Sequence, residues 1–297
     1  MTPDAPAPTL RQFLDAWELF HDPVVAALVA GGVLGWLGVY IVLRRVVFVS
    51  AALSQAAGLG VALAFYLQSA VGATGLAGDP LACATALTLA TMLFVSRAED
   101  GRFVSRESVL GAAYLVGSAG ALLVGTKIRK EAHDIGDILF GAAVLVTPED
   151  LRTLEIVAAV VFVLQVGLEK GFRFASFDPD GARIRGLPVR LLDAALFTSI
   201  AVAVSVATRV LGALPVFAFT VLPAMAAVLM ATSVRSALVI AGALGAFAGG
   251  AGYVLAFLRS WPVGASQAAV GVALVLGAAA LRATFGAVRR AAGAPRA

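Results

Sequence analysis

Three polar side chains interrupt an apolar stretch, "FVSAALSQAAGLGVA" (48–62): Ser50, Ser54 and Gln55. Hydroxyl and amide groups cost free energy inside a bilayer, so they mark either close helix packing or the wall of a polar path. Ser50 and Ser54 are small enough for packing. Gln55 carries a larger amide, which asks for an interhelical hydrogen bond or for a polar solute passing by. Thr220 and Gln267 are further polar groups in apolar surroundings. Thr220 stands close before Pro223, whose ring frees a carbonyl that a hydroxyl can serve. The small residues Gly58 and Gly60, and the stretch "GAFAGGAG" (245–252), read as close helix contacts.

A second cluster of interest is "EKGFRFASFDPDGARIRGLPVR" (169–190). Asp178-Pro179-Asp180-Gly181 is a turn-and-cap signal, and "ARIRG" after it reads as a short helix ended by Gly186. The segment is either a solvated basic loop or a short helix offered to a partner, and Asp178 is at least a helix cap. A third segment, 126–150, holds "ILFGAAVLV", too short to span and followed by Pro148 and an acidic pair suited to a helix start. It reads as a re-entrant or interfacial helix.

The elements that carry these residues follow from composition. Of 297 residues 60% are hydrophobic and 13% charged, with a mean hydropathy of +0.94. Soluble domains run at about 45–50% apolar and about 25% charged, so this chain is an integral membrane protein. Its apolar runs are long and continuous, which predicts an all-α polytopic bundle rather than a barrel. The single Cys83 excludes an internal disulfide framework and reads as a small buried apolar residue. The net charge of +4 comes from short loops and gives no sign of nucleic acid binding. No secretory leader is evident in the acidic, Pro-rich "MTPDAPAP".

Candidate spans are 23–43, 46–70, 78–95, 108–125, 151–168, 190–208, 212–231, 236–258 and 263–281, giving nine, or eight if one is a half-span. Residues 1–22 form a tail with an interfacial helix at 9–20, residues 23–282 the transmembrane domain, and 283–297 a cytoplasmic tail. Segments 44–45, 96–107, 169–190, 232–236 and 282–297 hold 15 of the 22 Lys and Arg, which assigns them to the cytoplasm. The loop 126–150 then lies outside. Asp193 starts a span at the cytoplasmic interface, and Arg209 at a span end reads as snorkelling.

Four blocks in order make the chain resemble the permease subunit of ABC importers of the zinc/manganese/iron family. They are "GVYIVLRRVVFVSAALSQAAGLGVALAF" (38–65), "DILFGAAVLVTPEDL" (137–151), "SFDPDGARIRGLPV" (176–189) and "LGALPVFAFTVLPAMAA" (211–227). The resemblance implies a homodimer around a central path in a bacterial plasma (inner) membrane. It also implies cytoplasmic ATPase subunits and an extracytoplasmic solute-binding protein. It places Ser50, Ser54, Gln55 and Thr220 on the path, and Phe177, Asp178, Arg183 and Gly186 in the segment that docks on the ATPase. The chain has no GxxxxGK[ST] phosphate loop, so by that mechanism ATP is used by a partner subunit and no cofactor is expected on this chain.

The chain departs from the family where metal ligands are expected. The resemblance calls for an Asp and a His one helical turn apart, where this sequence has Ala51 and Gln55, and for an Asp before Pro262, where it has Ser260 and Trp261. The two histidines, His21 and His133, read as loop residues. Ser, Thr and Gln can hydrogen-bond a hydrated ion or a polar complex but are poor at stripping water from a divalent cation. The cargo is therefore either a largely hydrated metal ion or a chelate or other polar solute, and the metal is unknown from the sequence. An ATP-independent secondary transporter is the competing class, but the ionisable intramembrane site it would use is lacking. A membrane enzyme has no clustered His, Cys or carboxylates to work with.

Overall fold

The computed structural model describes residues 8–97, 105–128 and 146–291. Within them the chain forms helices α1 (Leu10–Asp15), α2 (Trp17–Leu43), α3 (Val47–Val71), α4 (Pro80–Ser96), α5 (Arg106–Gly125) and α6 (Pro148–Gly167). There follow α7 (Glu169–Phe177), α8 (Pro179–Ile184), α9 (Val189–Leu211), α10 (Ala213–Met230), α11 (Val234–Arg259) and α12 (Val263–Ala291). A short 3-10 turn, Gly75–Ala77, lies between α3 and α4. Among the described residues seven helices are long and apolar enough to cross a membrane, and the bent pair α6–α7 makes an eighth. The shorter apolar α4 stands beside them. This is the expected all-α polytopic bundle at close to the expected number of spans. The apolar run "ILFGAAVLV" lies outside the described residues except for its last residue, Val146.

Helix starts follow ordinary capping chemistry. Asp79 caps α4 with its carboxylate accepting from Leu81 N and Ala82 N, with Pro80 in the first turn. Thr147 caps α6 and Pro148 opens it. Ser233 and Ser236 form a reciprocal capping box on α11.

Three sequence expectations are refined near the ends of spans. The interfacial helix expected at 9–20 is confined to α1, because Trp17 onward already belongs to the 27-residue α2. At about 1.5 Å per residue α2 exceeds the ~30 Å hydrocarbon core, so its first turns reach the interface. There Phe13 stacks on Phe20 at 5.2 Å and meets Phe257 edge-on at 5.2 Å, pinning α1 over α2 and α11. Arg209 does not stand alone at its span end. Its guanidinium pairs with Asp150 at 2.8 Å, tying the end of α9 to the start of α6. Cys83 is half-buried rather than buried, its thiol 3.4 Å from the Ala77 carbonyl.

The bundle is organised on an antiparallel seam between α2 and α11. Ala27, Gly31 and Gly35 recur every fourth residue on α2, and Ala241, Gly245 and Gly249 do so on α11. A Cβ built on Gly31 would overlap the Gly245 carbonyl, one on Gly35 the Ala241 carbonyl, and one on Gly249 the Ala27 carbonyl. Small residues at this spacing let two backbones come together where side chains would hold them apart. Gly38 extends the arrangement to α10, where a Cβ would overlap the Thr220 carbonyl. Gly60 brings α3 against Cys83 and Ala84 of α4, and Gly252 brings α11 against Gln267 of α12. The glycine contacts expected at 245–252 and at Gly60 are thus present.

Replacing Gly31 by Leu should lower bundle stability by about 1–3 kcal/mol, the usual cost of overpacking. Gly277→Ala, on α12 with nothing within 4 Å of its Cβ position, should leave stability nearly unchanged. Unfolding midpoints of the detergent-purified chain compare the two, and equal midpoints would remove the seam from this account.

Candidate transport path and coupling hairpin

The structure places the expected path residues in the bundle interior. Ser50, Ser54 and Thr220 are all buried. Each hydroxyl donates to a carbonyl of its own helix: Ser50 to Val47 at 2.9 Å, Ser54 to Ala51 at 3.0 Å, Thr220 to Phe217 at 2.8 Å. The carbonyl that Pro223 deprives of its helical partner is that of Phe219, so Thr220 serves a different one. Thr220 sits where α10 crosses α2 at Gly38. Ala51 is buried one turn from Gln55 on α3. Gln55 is half-buried, and its Oε1 is enclosed without a hydrogen-bond partner. Helix α5 crosses α3 at that residue, since a Cβ on Gly117 would lie 2.9 Å from the Gln55 Cβ.

The interior holds further polar groups, of which only Gln267 is marked in the sequence as a polar residue in apolar surroundings. Gln165 of α6 is fully buried and donates from Nε2 to Ser199 Oγ of α9 at 2.8 Å, while its Oε1 has no partner. Ser199 in turn donates to the Leu196 carbonyl at 2.7 Å. Thr85 of α4 meets Ser205 of α9 at 3.1 Å. Gln267 donates to the Gly249 carbonyl at 3.3 Å, joining α12 to α11. Gln165 could have been noticed as a lone amide in the apolar run "AAVVFVLQVG". Among the described residues no group of three or more His, Cys, Asp or Glu is placed to hold a metal ion. The arrangement is one of hydroxyls and amides, able to hydrogen-bond a polar cargo and unable to ligate a bare cation strongly.

At the end of the bundle where the chain passes from α6 to α9, it forms a two-helix hairpin. Helix α7 leaves α6 at 66°. Residues 169–177 read as loop in the sequence, whereas the segment is helical because Phe172 and Ala175 bury one face. Phe172 meets Tyr40 of α2 edge-on at 6.1 Å. Asp178 caps α8, its carboxylate accepting from Gly181 N at 2.8 Å. Helix α8 starts at Pro179, earlier than "ARIRG" suggested, and ends where Gly186 takes φ +77°. There Leu187 N donates to the Ala182 carbonyl at 3.0 Å and Gly186 N to Arg183 at 2.9 Å, the closing bonds of a Schellman-type end.

What the hairpin presents outward is specific. Phe177 is 59% exposed and Ile184 86% exposed, beside Arg183, which pairs with Asp180 at 2.8 Å on the surface. Arg185 lies over the Phe174 ring at 5.2 Å. On the inner side Glu169 pairs with Arg235 at the start of α11 and with Arg173, both at 3.0 Å. The hairpin is thus clamped to the bundle from within and offers apolar and basic groups to the outside.

Residues 16–282 match the ABC 3 transport family. The chain belongs to that family. It is a multi-pass membrane permease of the ABC transporter type rather than a membrane enzyme. Among curated relatives, the manganese import system permease protein ScaB of Streptococcus parasanguinis is 26% identical over 259 residues, covering 86% of this chain and 89% of its own. The chelated iron transport system membrane protein YfeD of Yersinia pestis is 26% identical over 226 residues, covering 76% and 73%. The fold matches that of PsaBC from Streptococcus pneumoniae, solved in complex with a Fab. Here the TM-score is 0.78 at 24% identity, over 91% of this chain and 95% of that one.

The capping of α8 yields a local prediction. Asp178→Ala removes an N-cap worth about 1 kcal/mol, which raises amide exchange over 179–187 about fivefold. Exchange in the α2–α11 seam should not change. Unaltered exchange over 179–187 would show that Asp178 does not hold the hairpin's shape.

Proposed function

We propose that the chain is the membrane-spanning permease of an ATP-driven importer of divalent metal ions. It works as a homodimer with separate ATPase subunits, which bind and hydrolyse the ATP, and with an extracytoplasmic solute-binding protein. The observation that carries this reading is the α7–α8 hairpin, a short capped helix packed against the bundle with Phe177 and Ile184 bare to solvent. Apolar side chains on a basic cytoplasmic surface suit a protein partner, and the hairpin's inner clamps suit transmission of force. Phe177, Asp178, Arg183 and Gly186 form or shape that docking element. Manganese or iron as cargo draws support from the named roles of ScaB and YfeD.

The path is assigned to the helix carrying Ser50, Ser54 and Gln55, with Thr220 on the adjoining α10. With Ala51 and Gln55 in place of ionisable groups, the metal passes with most of its water, steadied by hydrogen bonds rather than held at a strong site. A second reading, a metal chelate as cargo, is favoured by the same unpartnered Gln55 amide oxygen and by the lack of a ligand cluster among the described residues. The two readings share ATP coupling and differ in what crosses.

Proteoliposomes holding the permease, its ATPase and its binding protein should accumulate manganese or iron only when ATP is supplied. Accumulation without ATP would overturn the importer reading in favour of a secondary transporter. Within that assay, Ala51→Asp with Gln55→His should change the metal preference or slow release by about tenfold or more, because a carboxylate and an imidazole one turn apart offer a binding site. Unchanged selectivity and rate would assign both positions to packing.

A further inference from the structure

Arg44 ends α2 beside a two-residue turn, where a basic side chain is expected to point into the cytoplasm. The structure instead folds it inward, its side chain 14% exposed. Nη1 donates to Asp193 Oδ1 of α9 at 2.7 Å, and Nε donates to Ser176 Oγ of α7 at 2.9 Å. Ser176 passes the bond on, donating to the Phe172 carbonyl at 2.5 Å. The guanidinium also lies over the Phe197 ring of α9 at 5.5 Å, and Nη2 is buried without a hydrogen-bond partner. One planar group therefore joins three elements: the seam helix α2, the hairpin helix α7 and the span α9.

We propose that Arg44 is the positioning residue that transmits movement of the coupling hairpin into the transmembrane bundle. This inference rests on the reading that ATP hydrolysis in a partner drives the chain. Three observations lead to it. First, among the described residues the Arg44–Ser176 bond is the hairpin's one polar hold on the bundle that is shielded from solvent: Phe172 on Tyr40 and Gly171 on Leu192 of α9 are apolar packing, and the Glu169–Arg235 pair is open to solvent on its Arg side. Second, the chain turns sharply after Arg44, with Arg45 at φ +57°, a left-handed conformation that a non-glycine residue adopts only when its surroundings hold it. Movement of Arg44 is therefore communicated directly to Val46 and the start of α3, the helix of Ser50, Ser54 and Gln55. Third, a forked guanidinium reaches two acceptors in fixed directions, which an ammonium on a flexible stem cannot do. A partly buried charge pair of this kind contributes little net stability and much geometric specificity.

The test measures metal ions carried per ATP hydrolysed in the reconstituted complex of permease, ATPase and binding protein. Arg44→Lys keeps the charge but cannot hold Ser176 and Asp193 together. It should leave complex assembly intact and lower the ions carried per ATP by about fivefold or more. Ser176→Ala and Asp193→Asn each remove one arm and should lower the ratio by a smaller factor. They also carry the test if Arg44→Lys does not accumulate in the membrane. Ser176→Thr, which retains the hydroxyl, should restore the ratio towards the parent value. An unchanged ratio in every variant, with the complex assembled, would overturn the role of Arg44. If the parent complex itself shows no ATP-dependent uptake, the importer reading fails instead, so the two failures are told apart.

Discussion

Apolar helices in a bilayer gain nothing from hiding apolar surface from one another, because lipid chains are as apolar as Leu. What holds such a bundle is close backbone contact. In this chain it is concentrated in the α2–α11 seam, where glycines at four-residue spacing bring one backbone against the other at Gly31–Gly245, Gly35–Ala241 and Ala27–Gly249. The rest of the architecture hangs from α2. Helix α10 crosses it at Gly38, α6 and α9 pack on another side, and α3 follows it through the turn at 44–46. The body of a helix embraced on so many sides, from Ala27 to Gly38, is a fixed reference against which only its last turn at Arg44 is free to shift.

On the proposed coupling, that fixed reference is what the hairpin would work against as a lever. Helix α7 is short and strongly bent away from α6, and short helices have little stability of their own in water. Its shape is lent to it by Phe172 against Tyr40, by Ser176 against Arg44, and by Glu169 against Arg235. Helix α8 is shorter still, and stands because Asp178 and Gly186 close its two ends. The polar joints lie at the bundle's end and the apolar seam in its middle, which is the division that a membrane imposes.

The sequence made the bundle legible because its signal is local: long apolar runs, caps such as Asp79 and Thr147, and the glycine-rich stretch 245–252. The stop of α8 at Gly186 and the cap signal at Asp178 were legible for the same reason, although the helix begins at Pro179, inside the stretch read as a turn. What escaped were features made by distant partners. Arg44 reads as a solvated loop residue because its carboxylate partner lies 149 residues away. Helix α7 reads as loop because its burial is supplied by Tyr40, far off in the chain. The partner of Arg209 at its span end escapes because α6 supplies it as Asp150. Gln165 carries a local signal as a lone amide near the end of an apolar run, but its partner Ser199 is supplied by a distant helix.

The composition of the interior bears on where selectivity resides. A bare divalent ion taken from water into hydrocarbon loses solvation worth tens of kcal/mol, which only charged or strongly donating ligands can offset. The described interior provides Ser, Thr and Gln, most of them already bonded to their own helices. Such a lining is better suited to letting a hydrated or chelated metal pass than to choosing among metals. Choice must then be made before entry, by whatever delivers the cargo, and direction must be set by the cycle that moves the hairpin. A weak path and a tight coupling joint are complementary: under the proposed mechanism, little binding energy is available inside the membrane, and the vectorial work falls to Arg44 and the hairpin.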